Sequence, residues 1–155
     1  MTNKFMARAI ELATENAKSG RGGPFGCVIV RDGITVAEGT NRVTVTNDPT
    51  AHAEIVAIRA ACKKLGNFEL KNCEIYASCE PCPMCLGAIY WARIARVFFG
   101  AHSADAAGAG FDDSKIYAEL SRASSERRIP MTSLMRAEAL EPFRAWAANP
   151  GKLPY

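Results

Sequence analysis

The chain has 155 residues, and a domain of that length buries most of the surface that its unfolded chain would expose. Hydrophobic residues make up 48% and charged residues 23% of the chain, a balance that argues against a disordered protein and against a membrane protein. The formal net charge is only +3, and the best basic cluster (Arg122, Arg127 and Arg128) is interrupted by Glu126, so nucleic-acid binding is not expected.

The N-terminal segment and the cysteines favour a cytoplasmic protein. No apolar run is long enough to cross a membrane, and the first helix carries Glu11 and Glu15, which a transit peptide would avoid. Three of the six cysteines crowd into CEPCPMC at 79–85. That pattern is typical of metal binding in a reducing compartment rather than of a disulfide framework.

Hydrophobic periodicity and turn residues predict one layered α/β domain with a mixed sheet, spanning residues 1–155. The elements, in chain order, are a helix over 2–19, a hairpin of two strands around Asp32-Gly33, a polar loop over 40–50, a helix over 51–65, a buried strand over 73–78, a helix over 83–93 and a strand over 96–100. After these come a long loop over 101–114, a short helix near 115–120, a weak strand near 131–136 and a last helix over 141–148.

Four residues carry the strongest chemical pattern: His52 and Glu54 in DPTAHAE, and Cys82 and Cys85 in CEPCPMC. One imidazole and two thiolates form a three-ligand set for Zn²⁺, which leaves the fourth tetrahedral position open for water, as in catalytic sites. Because His52 and Glu54 are two positions apart, they converge only if the metal lies off the end of a helix. The sequence therefore predicts a catalytic zinc site.

Glu54 is the candidate catalytic residue, because a carboxylate beside the metal can take a proton from the attacking water and pass it to a ring nitrogen and then to the departing amine. The combination of H-x-E with a later P-C-x-x-C is the signature of zinc nucleobase deaminases. The alternative is a non-enzymatic module with a closed zinc site of Cys79, Cys82, Cys85 and His52, which leaves Glu54 without a role.

The remaining cysteines and the second histidine are not expected to bind metal. Cys27, Cys62 and Cys73 lie in apolar runs, and free cysteine is among the most buried residue types. Cys79 is interpreted as a small buried residue at the end of a strand, and His102 as a surface loop residue.

The segments DPTAHAEIVAIRAA, YASCEPCPMCLGAIYWAR and VFFG together resemble the cytidine-deaminase-like superfamily. Two of its branches share such motifs, the tRNA adenosine deaminases and the small bacterial guanine deaminases. The likeness to the guanine deaminases runs nearly end to end and is carried by GGPFGCVIVRDG, VTNDPTAHAE, AIYWAR, AGFDDSKIY and the C-terminal tyrosine.

This resemblance implies a three-layer α/β/α fold with a mixed central sheet of about five strands, and one zinc ion in each chain. It also implies hydrolysis of guanine to xanthine and ammonia, with a small-molecule purine as the substrate. At the positions that match, Asn41 and Asp113 would hydrogen-bond the purine, and Phe25 and Trp91 would line the pocket. Core packing is the alternative role for both aromatic residues.

The resemblance further implies that the C-terminal tail, about residues 149–155 and ending at Tyr155, covers the active site or is exchanged with a partner in a domain-swapped homodimer. Asp113 could instead cap the helix that follows it, with Asp112 contacting the substrate. Guanosine and related amino-substituted rings stay open as substrates. A tRNA adenosine deaminase is the other alternative, although CEPCPMCLGA departs from that branch and the C-terminal end has few charges.

Overall fold

The computed structural model describes residues 3–155, and the chain divides into two compact units at Ser114 and Lys115. The sheet of the first unit contains four strands: β1 (Gly26–Arg31), β2 (Ile34–Thr40), β3 (Cys73–Cys79) and β4 (Arg96–Ala101). Their order is β2-β1-β3-β4, with β1 antiparallel to both neighbours and β3 parallel to β4. The predicted mixed sheet is confirmed, with four strands between residues 3 and 155 instead of about five.

The first unit also contains five helices in its described residues: α1 (Lys4–Ser19), α2 (Val43–Thr46), α3 (Ala53–Leu65), α4 (Pro83–Trp91) and α5 (Ser103–Gly108). Asn3 caps α1 by accepting hydrogen bonds from the backbone N–H groups of Phe5 and Met6. Gly20 and Gly66 end α1 and α3 in the left-handed conformation that glycine adopts without strain.

Side chains of the sheet alternate between two hydrophobic clusters. Cys27 and Ile29 point into a core with residues of α3 and α4, whereas Val28 and Val30 point into a core with residues of α1. Successive side chains of a strand face opposite sides, so a central strand that is buried on both faces reads as a continuous apolar run. Helices on both faces give the expected three-layer α/β/α arrangement.

The structure corrects three details of the predicted elements. The predicted loop over 40–50 contains α2, and the predicted loop over 101–114 contains α5, because short helices lack the long apolar period that reveals a helix in sequence. The strand expected near 131–136 is absent, because this segment pairs with no described strand.

The second unit is built from short helices and turns. It contains most of α6 (Ser114–Leu120), a 3₁₀ turn (Ser124–Glu126), α7 (Arg136–Ala139) and α8 (Glu141–Ala148). Glu119 accepts a hydrogen bond from Arg122, and its backbone carbonyl accepts one from Arg127. Over residues 3–155, no helix is long and apolar enough to span a membrane.

Candidate metal centre and active site

Two helix N-termini carry the predicted metal ligands. His52 is the N-cap residue of α3 and Cys82 is the N-cap residue of α4, both with extended backbone. Neither side chain caps its own helix, and Cys85 follows in the first turn of α4, fully buried. An N-cap residue stands outside the helical spiral, so His52 and Glu54 line one cavity although they are two positions apart.

The three donor atoms have the spacing that a tetrahedral zinc ion requires. His52 Nδ1 lies 3.5 Å from Cys82 Sγ and 3.5 Å from Cys85 Sγ. Zn–N bonds of about 2.1 Å and Zn–S bonds of about 2.3 Å at tetrahedral angles separate nitrogen from sulfur by about 3.6 Å. The donor set therefore fits Zn²⁺, and among residues 3–155 only this trio clusters its donor atoms so closely.

The protonation of the donor trio reflects close contact between its members. A hydrogen bond from the Cys85 thiol lowers the pKa of Cys82 to about 4, with a smaller contribution from His52. The pKa of Cys85 is raised by that same bond and by burial, and the pKa of His52 is raised by its bond to Cys82. A bound divalent cation would stabilise both sulfurs as thiolates.

Cys79 is not a member of the donor trio. Its sulfur, at the end of β3, lies 3.7 Å from the carbonyl oxygen of His102, and burial raises the pKa of its thiol. Cys27 and Cys73 are fully buried and Cys62 is partly buried, and all three are free thiols. The predicted assignment of Cys27 and Cys73 to the core is confirmed.

Glu54 is buried, lines the cavity and lies on the first turn of α3. Removal of its carboxyl from water raises its pKa, and the negative charge of Cys82 acts in the same direction. A carboxyl group that is buried beside the metal ligands is suited to holding and releasing a proton.

The cavity has a volume of about 260 Å³ and combines polar groups with aromatic walls. Phe25 and Phe111 meet edge to face, with ring centroids 5.0 Å apart at 88°. The residues that line it are Phe25, Asn41, His52, Glu54, Cys79, Glu80, Cys82, Ser103, Ala106, Gly110, Phe111, Asp112 and Asp113.

The two neighbouring aspartates differ in their contacts. The Asp112 carboxylate accepts a hydrogen bond of 2.9 Å from the backbone N–H of Ser114, the first residue of α6. Loss of solvent raises the pKa of Asp113, and the charge of Cys82 adds to this effect. Asp112 thus satisfies the first N–H group of α6, one of the groups that no helical carbonyl can reach.

Two predicted pocket residues are not brought to this cavity by the described contacts. Trp91, at the end of α4, is 67% exposed, so it is not a core residue of this chain, and its pocket role stays a prediction. Tyr155 belongs to the second unit, where its ring lies 6.5 Å from that of Trp146.

Two residues that line the cavity, Glu80 and Phe111, were not predicted from the sequence, although both lie within the motifs of the site. Glu80, in CEPC, accepts a hydrogen bond of 3.0 Å from the backbone N–H of Ser103 at the start of α5. Phe111, in AGFDD, forms part of the cavity wall with Phe25. The clue for both was their position beside predicted site residues.

Known proteins that are similar to this chain are described by a deaminase activity or by a zinc-binding deaminase region. Residues 1–101 match the family described as the cytidine and deoxycytidylate deaminase zinc-binding region. The chain therefore belongs to this family of zinc-dependent deaminases. It is 56% identical over 151 residues to a guanine deaminase of Bacillus subtilis, covering 97% of each chain.

The same likeness holds in three dimensions. The crystal structure of a guanine deaminase from Bacillus subtilis matches with a TM-score of 0.96 at 55% identity, over 100% of this chain and 99% of that one. A tRNA-specific adenosine deaminase of Haemophilus influenzae is 42% identical over 119 residues, which are 73% of this chain and 68% of that protein. The predicted superfamily, fold and zinc dependence are confirmed.

Proposed function

We propose that this protein catalyses the zinc-dependent hydrolysis of guanine to xanthine and ammonia. The observation that carries the proposal is a three-donor metal site beside a buried carboxyl, at a cavity that is also lined by an amide and by three further carboxyl groups. The near full-length likeness to a guanine deaminase supports guanine over other amino-substituted rings.

In this mechanism His52, Cys82 and Cys85 would hold the ion. When bound, zinc would supply Lewis acidity that makes the attacking water more acidic. Glu54 accepts the proton that the attacking water loses and delivers it to a ring nitrogen of the purine. It then helps to move a second proton to the amino group, which leaves as ammonia while the ring carbon becomes a carbonyl.

Orientation of the purine would come from other residues that line the cavity. The carboxylate of Asp113 accepts hydrogen bonds, and the amide of Asn41 donates them, so together they match the donors and acceptors on the edges of guanine. Phe25 offers an apolar surface for the flat ring. Trp91 remains a further candidate for the same pocket.

Assembly as a homodimer is part of the proposal. No residue of 115–155 is buried, and Ile129, Leu134, Met135 and Phe143 are each at least 70% exposed. A segment without buried residues lacks a core of its own, and large exposed apolar surfaces mark interaction sites. This supports a second copy as the partner, with exchange of the C-terminal tail and closure of the site by Tyr155.

Six free thiols favour the cytoplasm as the location.

The first test is to measure ammonia release by zinc-loaded protein from guanine, guanosine, adenine, cytosine and cytidine. We expect rapid release from guanine and little from the others. Release from none of them, with release from adenosine in a tRNA stem-loop, would replace the proposal with the tRNA adenosine deaminase alternative.

The matched variant is Glu54→Gln, which keeps the shape of the side chain and removes its proton-accepting carboxylate. We expect zinc content to be unchanged and turnover of guanine to fall by about 10²–10⁴-fold, the usual size of a general acid–base contribution. Turnover close to that of the wild type would rule out the role assigned to Glu54.

A further inference from the structure

A buried asparagine on α1 lies outside the proposed catalytic machinery but reaches the wall of the cavity. Asn16 is 8% exposed, on the side of α1 that faces the core. Asparagine is unfavourable inside a helix, because its side chain competes for backbone hydrogen bonds. Its place in α1 therefore requires compensating contacts.

The Asn16 side chain joins two separate segments of the chain. Its Nδ2 donates one hydrogen bond of 2.8 Å to the carbonyl oxygen of Gly23 and another of 2.9 Å to the carbonyl oxygen of Asn41. Both partners are acceptors, so only the NH₂ end of the amide can face them, and both of its hydrogens are used. The side chain thus ties the Gly22–Gly23 turn to the end of β2.

These contacts leave one group of Asn41 available for a ligand. Its backbone N–H donates to Phe25, its carbonyl oxygen accepts from Asn16, and its Oδ1 accepts from the N–H groups of Gly23 and Val43. Among residues 3–155, none accepts a hydrogen bond from Asn41 Nδ2, and the residue lines the cavity. The network therefore orients the amide so that its NH₂ group is the part free to donate.

The junction is also packed without spare room. A Cβ atom on Gly22 would lie 2.1 Å from the Asn41 carbonyl oxygen and 2.9 Å from Asn16 Nδ2. Real Cβ atoms do not approach backbone so closely, so Asn41 has no space to move toward the turn.

We propose that Asn16 is a positioning residue for purine recognition, which holds the backbone of Asn41 so that the Asn41 amide presents its hydrogens to the bound base. This inference rests on the proposed guanine deamination. Asn16 acts only through Asn41, so its loss weakens binding of the purine more than the chemical step, which belongs to Glu54 and the metal ligands.

The test compares kinetics of three zinc-loaded variants at equal zinc content. Asn16→Asp has nearly the same shape but turns the donor into an acceptor, and Asn16→Ala removes the donor without adding charge. Thr14→Asp, on the exposed side of α1, controls for a new charge on this helix. We expect both Asn16 variants to raise the KM for guanine about tenfold with kcat changed less than about threefold, and the control to match the wild type.

A double-mutant cycle decides whether the effect passes through Asn41. In an Asn41→Ala background, we expect Asn16→Asp to change kcat/KM by less than about twofold, because the group that it positions is already gone. Equal effects in both backgrounds, or an unchanged KM in both Asn16 variants, would overturn the inference. If Asn16→Asp does not fold, Asn16→Ala completes the same cycle. No turnover of guanine by the wild type would instead overturn the proposed function, and this inference with it.

Discussion

Replacement of single cysteines should separate an open catalytic site from a closed structural one. Cys85 belongs to the donor trio and is fully buried, whereas the sulfur of Cys79 contacts the carbonyl oxygen of His102. A Cys85→Ser variant should therefore lose zinc affinity, and a Cys79→Ser variant should retain it. Cys27→Ser, in the middle of the sheet, is the matched control for the cost of placing a hydroxyl in the core.

The size of the effect follows from the number of ligands. A structural zinc site contributes about 10–16 kcal/mol over four ligands, so an equal share is about 2.5–4 kcal/mol for each ligand. Loss of one ligand then raises the Kd for zinc by about 10²–10³-fold. For Cys79→Ser we expect a change of less than about threefold, because the serine hydroxyl can donate to the same carbonyl oxygen.

The measurement is competition with a coloured zinc chelator, followed by metal content after dialysis and by guanine turnover. Cys85→Ser should lose both metal and turnover, and the other two variants should keep both. Equal loss of zinc from Cys79→Ser and Cys85→Ser would show four protein ligands. That result would refute the argument for an open fourth position and support the non-enzymatic alternative.

Three other predictions concern substrate binding and stability. Asp113→Asn should raise the KM for guanine by at least about tenfold, while Asp112→Asn should have little effect, because the asparagine oxygen can accept the same hydrogen bond from Ser114. Steady-state kinetics of both variants check this. Gly39→Ala should lower the free energy of unfolding by about 1–3 kcal/mol in urea titrations, since its Cβ would lie 2.2 Å from a carbonyl oxygen of α3. The guanidinium of Arg8 lowers the pKa of Glu38 through two hydrogen bonds of 2.9 Å. The stabilisation from this pair is fully present above the unfolded pKa of about 4.3, and it is lost as the pH falls through the lower folded pKa. The free energies of unfolding of the wild type and Glu38→Gln should therefore differ by at most about 1 kcal/mol at pH 7 and become equal near pH 3.

Local sequence patterns were sufficient for most of the sheet and its helices. The hairpin followed from two β-rich runs around Asp32-Gly33, whose positive φ angles of 51° and 74° match a tight turn. The zinc donors followed from residue chemistry and spacing, because few combinations of imidazole and thiolate leave an open tetrahedral position. The hairpin could be predicted because its residues are close in sequence, and the zinc donors could be predicted because their motif is highly specific.

The contacts between distant segments could be known only from the tertiary structure. Asn16 and Asn41 are far apart in sequence, and neither residue type indicates that one holds the other. The same holds for Asp112 and Asp113. They are the same residue type, and it is the hydrogen bond from Ser114 to Asp112 that distinguishes their roles. A sequence reveals which chemical groups are present, but which atoms of each group remain available to a substrate depends on every partner that folding brings to them.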